Sequence, residues 1–155
     1  MTPFLVQESR QSASIKDDSS SLSSALFWVQ GLYYLVTGVW PLVSIETFQM
    51  VTGPKTDHLV TGRQLDHWLV MTVGVLITCI ALALLTAAWR RRISAEMVIL
   101  AVASAIGLTG IDVLYVLRQV IAPIYLVDAA LEILILATWA YLLARPLWAR
   151  RAGPV

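Results

Sequence analysis

The chain has 155 residues, of which 58% are hydrophobic and only 14% charged, with a formal net charge of +1 and a mean hydropathy of +0.75. Soluble domains are about half apolar and about a quarter charged, so this composition leaves too little polar surface to cover a fold in water. No Lys/Arg block is long enough to track phosphates, which excludes nucleic acid, and the lone Cys79 excludes an internal disulfide, a CxxC redox pair and a Cys-based zinc site.

In chain order, residues 1–24 are polar and end in SASIKDDSSSLSS. They lack the basic opening, short apolar core and cleavage site of a secretory signal, and are expected to form a disordered cytoplasmic tail. A bilayer core ~30 Å thick needs about 20 mainly apolar residues to span it. The first such stretch is ALFWVQGLYYLVTGVWPLVSI, residues 25–45, with Trp40-Pro41 expected to kink or end the helix. An outer loop, 46–67, follows. Gly53-Pro54 marks a turn in it and Thr61-Gly62 a second break, so it is expected to hold a short interfacial helix or a cap over the outer face. The second span is WLVMTVGVLITCIALALLTAAW, residues 68–89. The third covers about 95–117 and the fourth about 122–144, with Pro123 suited to the first turn of a helix. Residues 146–155 are expected to form a second cytoplasmic tail. Short links favour antiparallel neighbours. The expected fold is therefore all-α and integral to the membrane, a four-transmembrane-helix up-down bundle over residues 25–145.

Basic residues in short loops collect on the cytoplasmic side. Arg10, Lys16, Arg90, Arg91, Arg92, Arg145, Arg150 and Arg151 lie on one side of the four spans, against Lys55, Arg63 and Arg118 on the other. Both termini are thus expected in the cytoplasm. Trp28, Trp89, Trp139 and Trp148 are expected at the inner interface, and Trp40 and Trp68 at the outer one. Small residues mark close helix contacts in lipid. Gly31 and Gly38 share a face of the first span, and Ala103, Gly107 and Gly110 share a face of the third.

The acids inside the spans carry the functional signal. A charge at the bilayer centre costs from ~2.5 to well above 10 kcal/mol, so such residues face the bundle interior or a wet cavity. Asp128 and Glu132 are i,i+4 on the fourth helix, one turn beyond Tyr125; Asp112 and Tyr115 share a face of the third. Asp112 and Asp128 lie at similar depth, ~9 Å in from the outer end at ~1.5 Å per residue, with Glu132 nearer the midplane. Glu46 closes the first helix, and Asp66 and His67 open the second at the same level. Each member also has a plainer reading. Asp112 can pair with Arg118, Asp66 can be a helix cap, Glu46 can be solvated, and Asp128 can cap a broken helix or bond Tyr115. Glu132 is the hardest to explain so, because no Lys or Arg is placed to reach its depth. It is expected either to carry a proton or to bond Tyr, Thr or water.

Such a pocket suits a proton or cation path, the binding of a cationic amphiphile against carboxylates and the faces of Tyr33, Tyr34, Tyr115 and Tyr125, or acid–base chemistry on a lipid-like substrate. Metal is not expected: His58 and His67, with Asp57, Asp66 and Glu46, fit no ligand spacing. There is no histidine pair for haem, TGPK is too short for a phosphate loop, and no serine stands in a G-x-S-x-G frame. No cofactor is expected.

GLYYLVTGVWPLV in the first span and TVGVLITCIALALLTA in the second, with two further apolar helices, give a layout that resembles the small four-helix bacterial membrane proteins of the DoxX-like type. The resemblance implies a four-helix membrane fold and, for some such proteins, association with respiratory or redox complexes. The basic residue often found after the family's first helix has no counterpart here, where Trp40-Pro41 stands, and no functional residue carries over. The expectation is an inner-membrane protein with an acid-lined pocket in its outer half, binding a proton, cation or small amphiphile as an accessory or transport-related subunit. Its expected partners are membrane lipids and a second copy or a larger membrane complex. The alternatives are a membrane enzyme acting on an isoprenoid or other lipid, which requires an apolar cavity beside the acids, and a purely structural subunit, whose acids would face outwards.

Overall fold

A computed structural model describes the backbone of residues 3–53, 65–91 and 93–151, and the side chains of 21–53, 67–91 and 93–144. Among these residues there are five helices and no strand: α1 (Pro3–Val43), α2 (Ile45–Thr52), α3 (Leu65–Trp89), α4 (Ala95–Leu117) and α5 (Tyr125–Arg151). Four segments are long and apolar enough to cross a membrane, namely Ser21–Val43, His67–Trp89, Ala95–Leu117 and Tyr125–Ala144. They match the expected spans to within four residues at each end. The Thr61-Gly62 break, with Asp57 and His58, lies outside the described residues.

Local chemistry sets the boundaries. α1 runs through Pro41 and stops at Val43; Ser44 then caps α2, its Oγ accepting from the Thr47 N–H at 3.4 Å. Gly53 ends α2 with φ +80°, a left-handed conformation that glycine adopts without a Cβ penalty. Ser94 caps α4 in the same way, accepting from Met97 at 3.5 Å. α5 begins three residues later than the expected fourth span. The carbonyls of Ala122, Pro123 and Ile124 each accept from the residue three ahead, which makes a tight lead-in rather than α-helix.

The helices form two antiparallel pairs. α1 lies along α3, and α4 along α5, with looser contact of α1 with α5 and of α3 with α4. The first pair is drawn close by glycine. A Cβ on Gly31 would fall 2.8 Å from Leu85 Cγ, and one on Gly38 would fall 2.7 Å from Thr78 Oγ1 and 2.9 Å from the Gly74 carbonyl. Without a water-driven attraction between helices in lipid, such backbone approach supplies the dispersion contact that holds them. The small residues of the third span behave differently. Gly107 and Gly110 have nothing within 4 Å of an added Cβ, and Ala103 is exposed. The inward face of α4 is instead Ala101, Ala105 and Asp112. Shared spacing shows that small residues lie on one face, but it does not say which side the partner occupies.

The outward faces are apolar. Val29 and Val36 on α1, Leu76 on α3, Ile99 and Ile106 on α4 and Leu134 on α5 are all half or more exposed. The polar residues on these faces turn their hydroxyls back onto their own helix. Thr72, Thr86 and Thr138 donate to the carbonyls four residues earlier at 2.7–2.8 Å. Apolar outside and polar inside is the pattern a helix bundle needs in lipid.

Inside, the half of the bundle away from α2 is packed solid around Phe27, Leu84, Ala88, Ile135 and Trp139. Trp68 and Trp89 are exposed at the ends of α3, where an interfacial belt would lie, and Trp28 is exposed well inside α1. Trp139 is not part of that belt. It is 2% exposed and edge-on to Phe27, ring centroids 5.0 Å apart. Trp148 lies beyond the described side chains. The half of the bundle next to α2 is not filled in this way.

Candidate functional site

Between the two helix pairs, on the α2 side of the solid core, lies a cavity of about 530 Å³. That is within the range of small-molecule sites. α3 contributes only apolar wall to it, through residues such as Leu69, Val73 and Ile77, and α2 closes one end with Phe48, Val51 and Thr52. Phe48 is held there by Trp40, whose ring meets it edge-on at 5.7 Å and whose Nε1 donates to Thr47 Oγ1 at 3.0 Å. Several wall residues, among them Leu69, Ile111 and Val127, are also exposed on the outside of the bundle, so the cavity is open at its side.

The polar wall comes from α1, α4 and α5. Adjacent tyrosines of α1 reach adjacent turns of α5. Tyr33 donates to Asp128 Oδ1, and Tyr34 donates to Glu132 Oε2 at 3.1 Å. Asp112 faces the same space from α4, 6% exposed, with Tyr125 of α5 beside it on the lining. Glu132 is 0% exposed, and its second oxygen, Oε1, is buried with no hydrogen-bond partner. Leaving a buried polar atom unpaired costs about 1–3 kcal/mol, and more for a charged group. Among the described residues no Lys, Arg or His lines the cavity.

Below Glu132 a layer of hydrogen bonds separates the cavity from the solid core. The Gln30 amide donates to the Ala101 carbonyl at 2.8 Å and to the Tyr34 hydroxyl at 3.2 Å, and accepts from Trp139 Nε1 at 3.1 Å. Gln30 is fully buried and joins α1, α4 and α5 at one point. Acids, tyrosines and histidines carried the sequence-based expectation, and Gln30 stood outside it. The signal was present: an uncharged polar residue in an apolar span, i,i+4 from a tyrosine. Nothing in the sequence marked Trp139 as its partner or Phe48 as an end wall.

Of the expected site residues, Asp112, Asp128, Glu132 and Tyr125 are brought together on the cavity. Tyr115 is not. It is 39% exposed on α4 and off the lining, and the hydrogen bond of Asp128 goes to Tyr33 instead. Glu46 is exposed in the first turn of α2, accepting from Ser44 Oγ at 3.4 Å, and His67 is half-buried in the first turn of α3; neither lines the cavity. The side chain of Asp66 lies outside the described residues. Among the described residues, α4 and α5 supply the carboxylates of this space, α1 and α5 the tyrosines, and α3 apolar side chains. Among the described residues no group of three His, Cys, Asp or Glu could hold a metal ion.

The chain matches no protein-family model, no curated protein and no solved structure. The four apolar helices are those of a small four-helix membrane protein in length and composition. Chemically, the site offers oxygen acceptors at one wall and an apolar body elsewhere. A guest with a positive or hydrogen-donating end and a greasy remainder satisfies both.

Proposed function

We propose that this is a multi-pass protein of the bacterial inner membrane, with both termini in the cytoplasm, that binds a small cationic amphiphile in the cavity beside Asp112, Asp128 and Glu132. The observation that carries this reading is Glu132, fully buried on the cavity wall with Oε1 unpaired and no basic side chain on the described lining. A cation there meets carboxylates in a low-dielectric setting and tyrosine faces alongside. The eight-to-three distribution of basic residues supports the orientation. The orientation places α2 and the cavity towards the periplasm.

Four spans are few for a self-contained transporter, many of which are built from two multi-helix repeats. An accessory or transport-related role within a homo-oligomer or a larger complex follows, in line with the DoxX-like layout. The inward-facing acids favour binding over a purely structural role. The apolar cavity beside them also supports a second reading, an enzyme acting by acid–base chemistry on an isoprenoid or lipid.

The test uses two ions of one size and shape and opposite charge, offered to the protein in nanodiscs. Tetraphenylphosphonium is expected to bind and tetraphenylborate is not. Glu132→Gln is expected to weaken phosphonium binding by about tenfold or more, the scale of one charge-assisted contact at about 1.5–3 kcal/mol. Equal binding of the two ions, or unchanged affinity in Glu132→Gln, defeats the reading. A reporter fused after residue 155 is expected to read cytoplasmic; a periplasmic signal reverses the topology.

A further inference from the structure

We propose that the cavity is an exchange site, in which an incoming cation takes the place of a proton on the Asp112–Asp128–Glu132 cluster. The proposal rests on the cation-binding reading and adds to it the fate of the proton.

Charge makes the first part of the argument. Three carboxyl groups face one space. Tyr33 and Tyr34 face them from α1, Tyr125 from α5, and neither α2 nor α3 puts a titratable or charged described side chain on the lining. The donors of Tyr33 and Tyr34 go to Asp128 and to one oxygen of Glu132. Asp128 and Glu132, one turn apart on α5 in an apolar enclosure with no cation on its described lining, repel each other as anions and lose their hydration, so the empty cluster keeps a proton. When a cation enters, one carboxyl O–H bond breaks, the proton passes to water, and the carboxylate that remains faces the cation. The net charge of the enclosure is unchanged, so the low-dielectric surroundings oppose the swap far less than they oppose adding a charge.

Connectivity makes the second part. On the side away from α2, the hydrogen-bond chain runs from Glu132 to Tyr34 and then to the Ser104 hydroxyl and the Gln30 amide, and it ends on the backbone carbonyls of Leu100 and Ala101 and on the donor-only indole of Trp139. Neither an amide nitrogen nor an indole hands on a proton readily. Phe27 and Trp139 pack that layer shut. Protons therefore enter and leave by the cavity itself, the route the cation uses. A shared one-ended route makes the two occupants alternatives, where a route through the bundle would make a conduit.

The test uses tetraphenylphosphonium, whose charge does not titrate, with the full chain in nanodiscs across about pH 5 to about pH 9. Exchange predicts a dissociation constant that falls about tenfold per pH unit over the range in which the empty cluster holds its proton. It also predicts about one proton released per cation bound, read by calorimetry in two buffers of different ionisation enthalpy. Glu132→Gln and Asp112→Asn, each checked for unchanged helix content and monodispersity, are expected to flatten the pH dependence in at least one case. Binding at constant affinity with no proton release overturns exchange and leaves cation binding standing. A slope intact in both variants overturns the assignment to this cluster. Absence of phosphonium binding at every pH overturns both readings together.

Discussion

Trp139→Ala lowers stability by about 3–5 kcal/mol, the largest loss expected of any single substitution in the bundle. The indole is the biggest side chain in the solid half, packed edge-on to Phe27 and 2% exposed. Removing it opens a void that the rigid helices around it cannot close. It also leaves Gln30 Oε1 without its donor, a further unpaired group in an apolar layer. Trp139→Phe separates the two effects, since it keeps most of the volume and removes only the N–H; about 1–3 kcal/mol is expected. The measurement is the unfolding midpoint in detergent titrated with dodecyl sulfate, followed by helix content. Stability of Trp139→Ala within about 0.5 kcal/mol of the parent would show that the indole is not buried in this core.

Gly38→Leu separates α1 from α3 at a cost of about 3 kcal/mol, at the upper end of ordinary overpacking. A Cβ there meets Thr78 Oγ1 and the Gly74 carbonyl at under 3 Å, and a backbone oxygen cannot swing aside as a flexible side chain does. Gly110→Leu is the matched control. The same change on α4 meets nothing within 4 Å and is expected to stay within about 0.5 kcal/mol of the parent. Both variants are read by the same titration. Equal losses at the two positions would contradict the open face of α4, and no loss at Gly38 would contradict the close crossing of α1 and α3.

These two glycines show how far the sequence could be read. Gly31 and Gly38, seven residues apart, marked a packing face correctly, and so did the expectation of four spans. Ala103, Gly107 and Gly110 carried the same signal and point into open space. Spacing is a property of one helix, whereas contact depends on which way that helix is rotated about its axis. The inward face of α4 is that of Ala101, Ala105 and Asp112, opposite the glycine face; the cost of burying Asp112 in lipid ranks that face first, and small-residue spacing takes no account of it.

The site divides along the same line. Burial cost alone picked out Asp112, Asp128 and Glu132, because a carboxyl in an apolar span must find an interior. The i,i+4 spacing put Asp128 and Glu132 on one side of α5. Tyr33 and Tyr34 entered only as aromatic faces, and their hydrogen bonds to Asp128 and Glu132 were not visible, since partners 95 and 98 residues apart along the chain meet only after two helix pairs dock. Tyr115 shared a face with Asp112 by spacing, but it lies one turn nearer the helix end and falls outside the enclosed space. Glu46 and His67 were placed at the right end of the bundle and on the wrong side of its wall.

By itself, the sequence determined the number and limits of four helices apolar enough to cross a membrane, and the presence of buried acid on α4 and α5. Those follow from hydrophobicity summed along the chain and from the cost of desolvating charge, both local quantities. Only the tertiary structure decided that the half of the bundle next to α2 holds a cavity between the helix pairs while the other half holds a packed apolar core, and that Gln30 and Trp139 stand between the two. Void and closure belong to the fit between helices, and that fit depends on rotations and crossing distances that no single segment encodes.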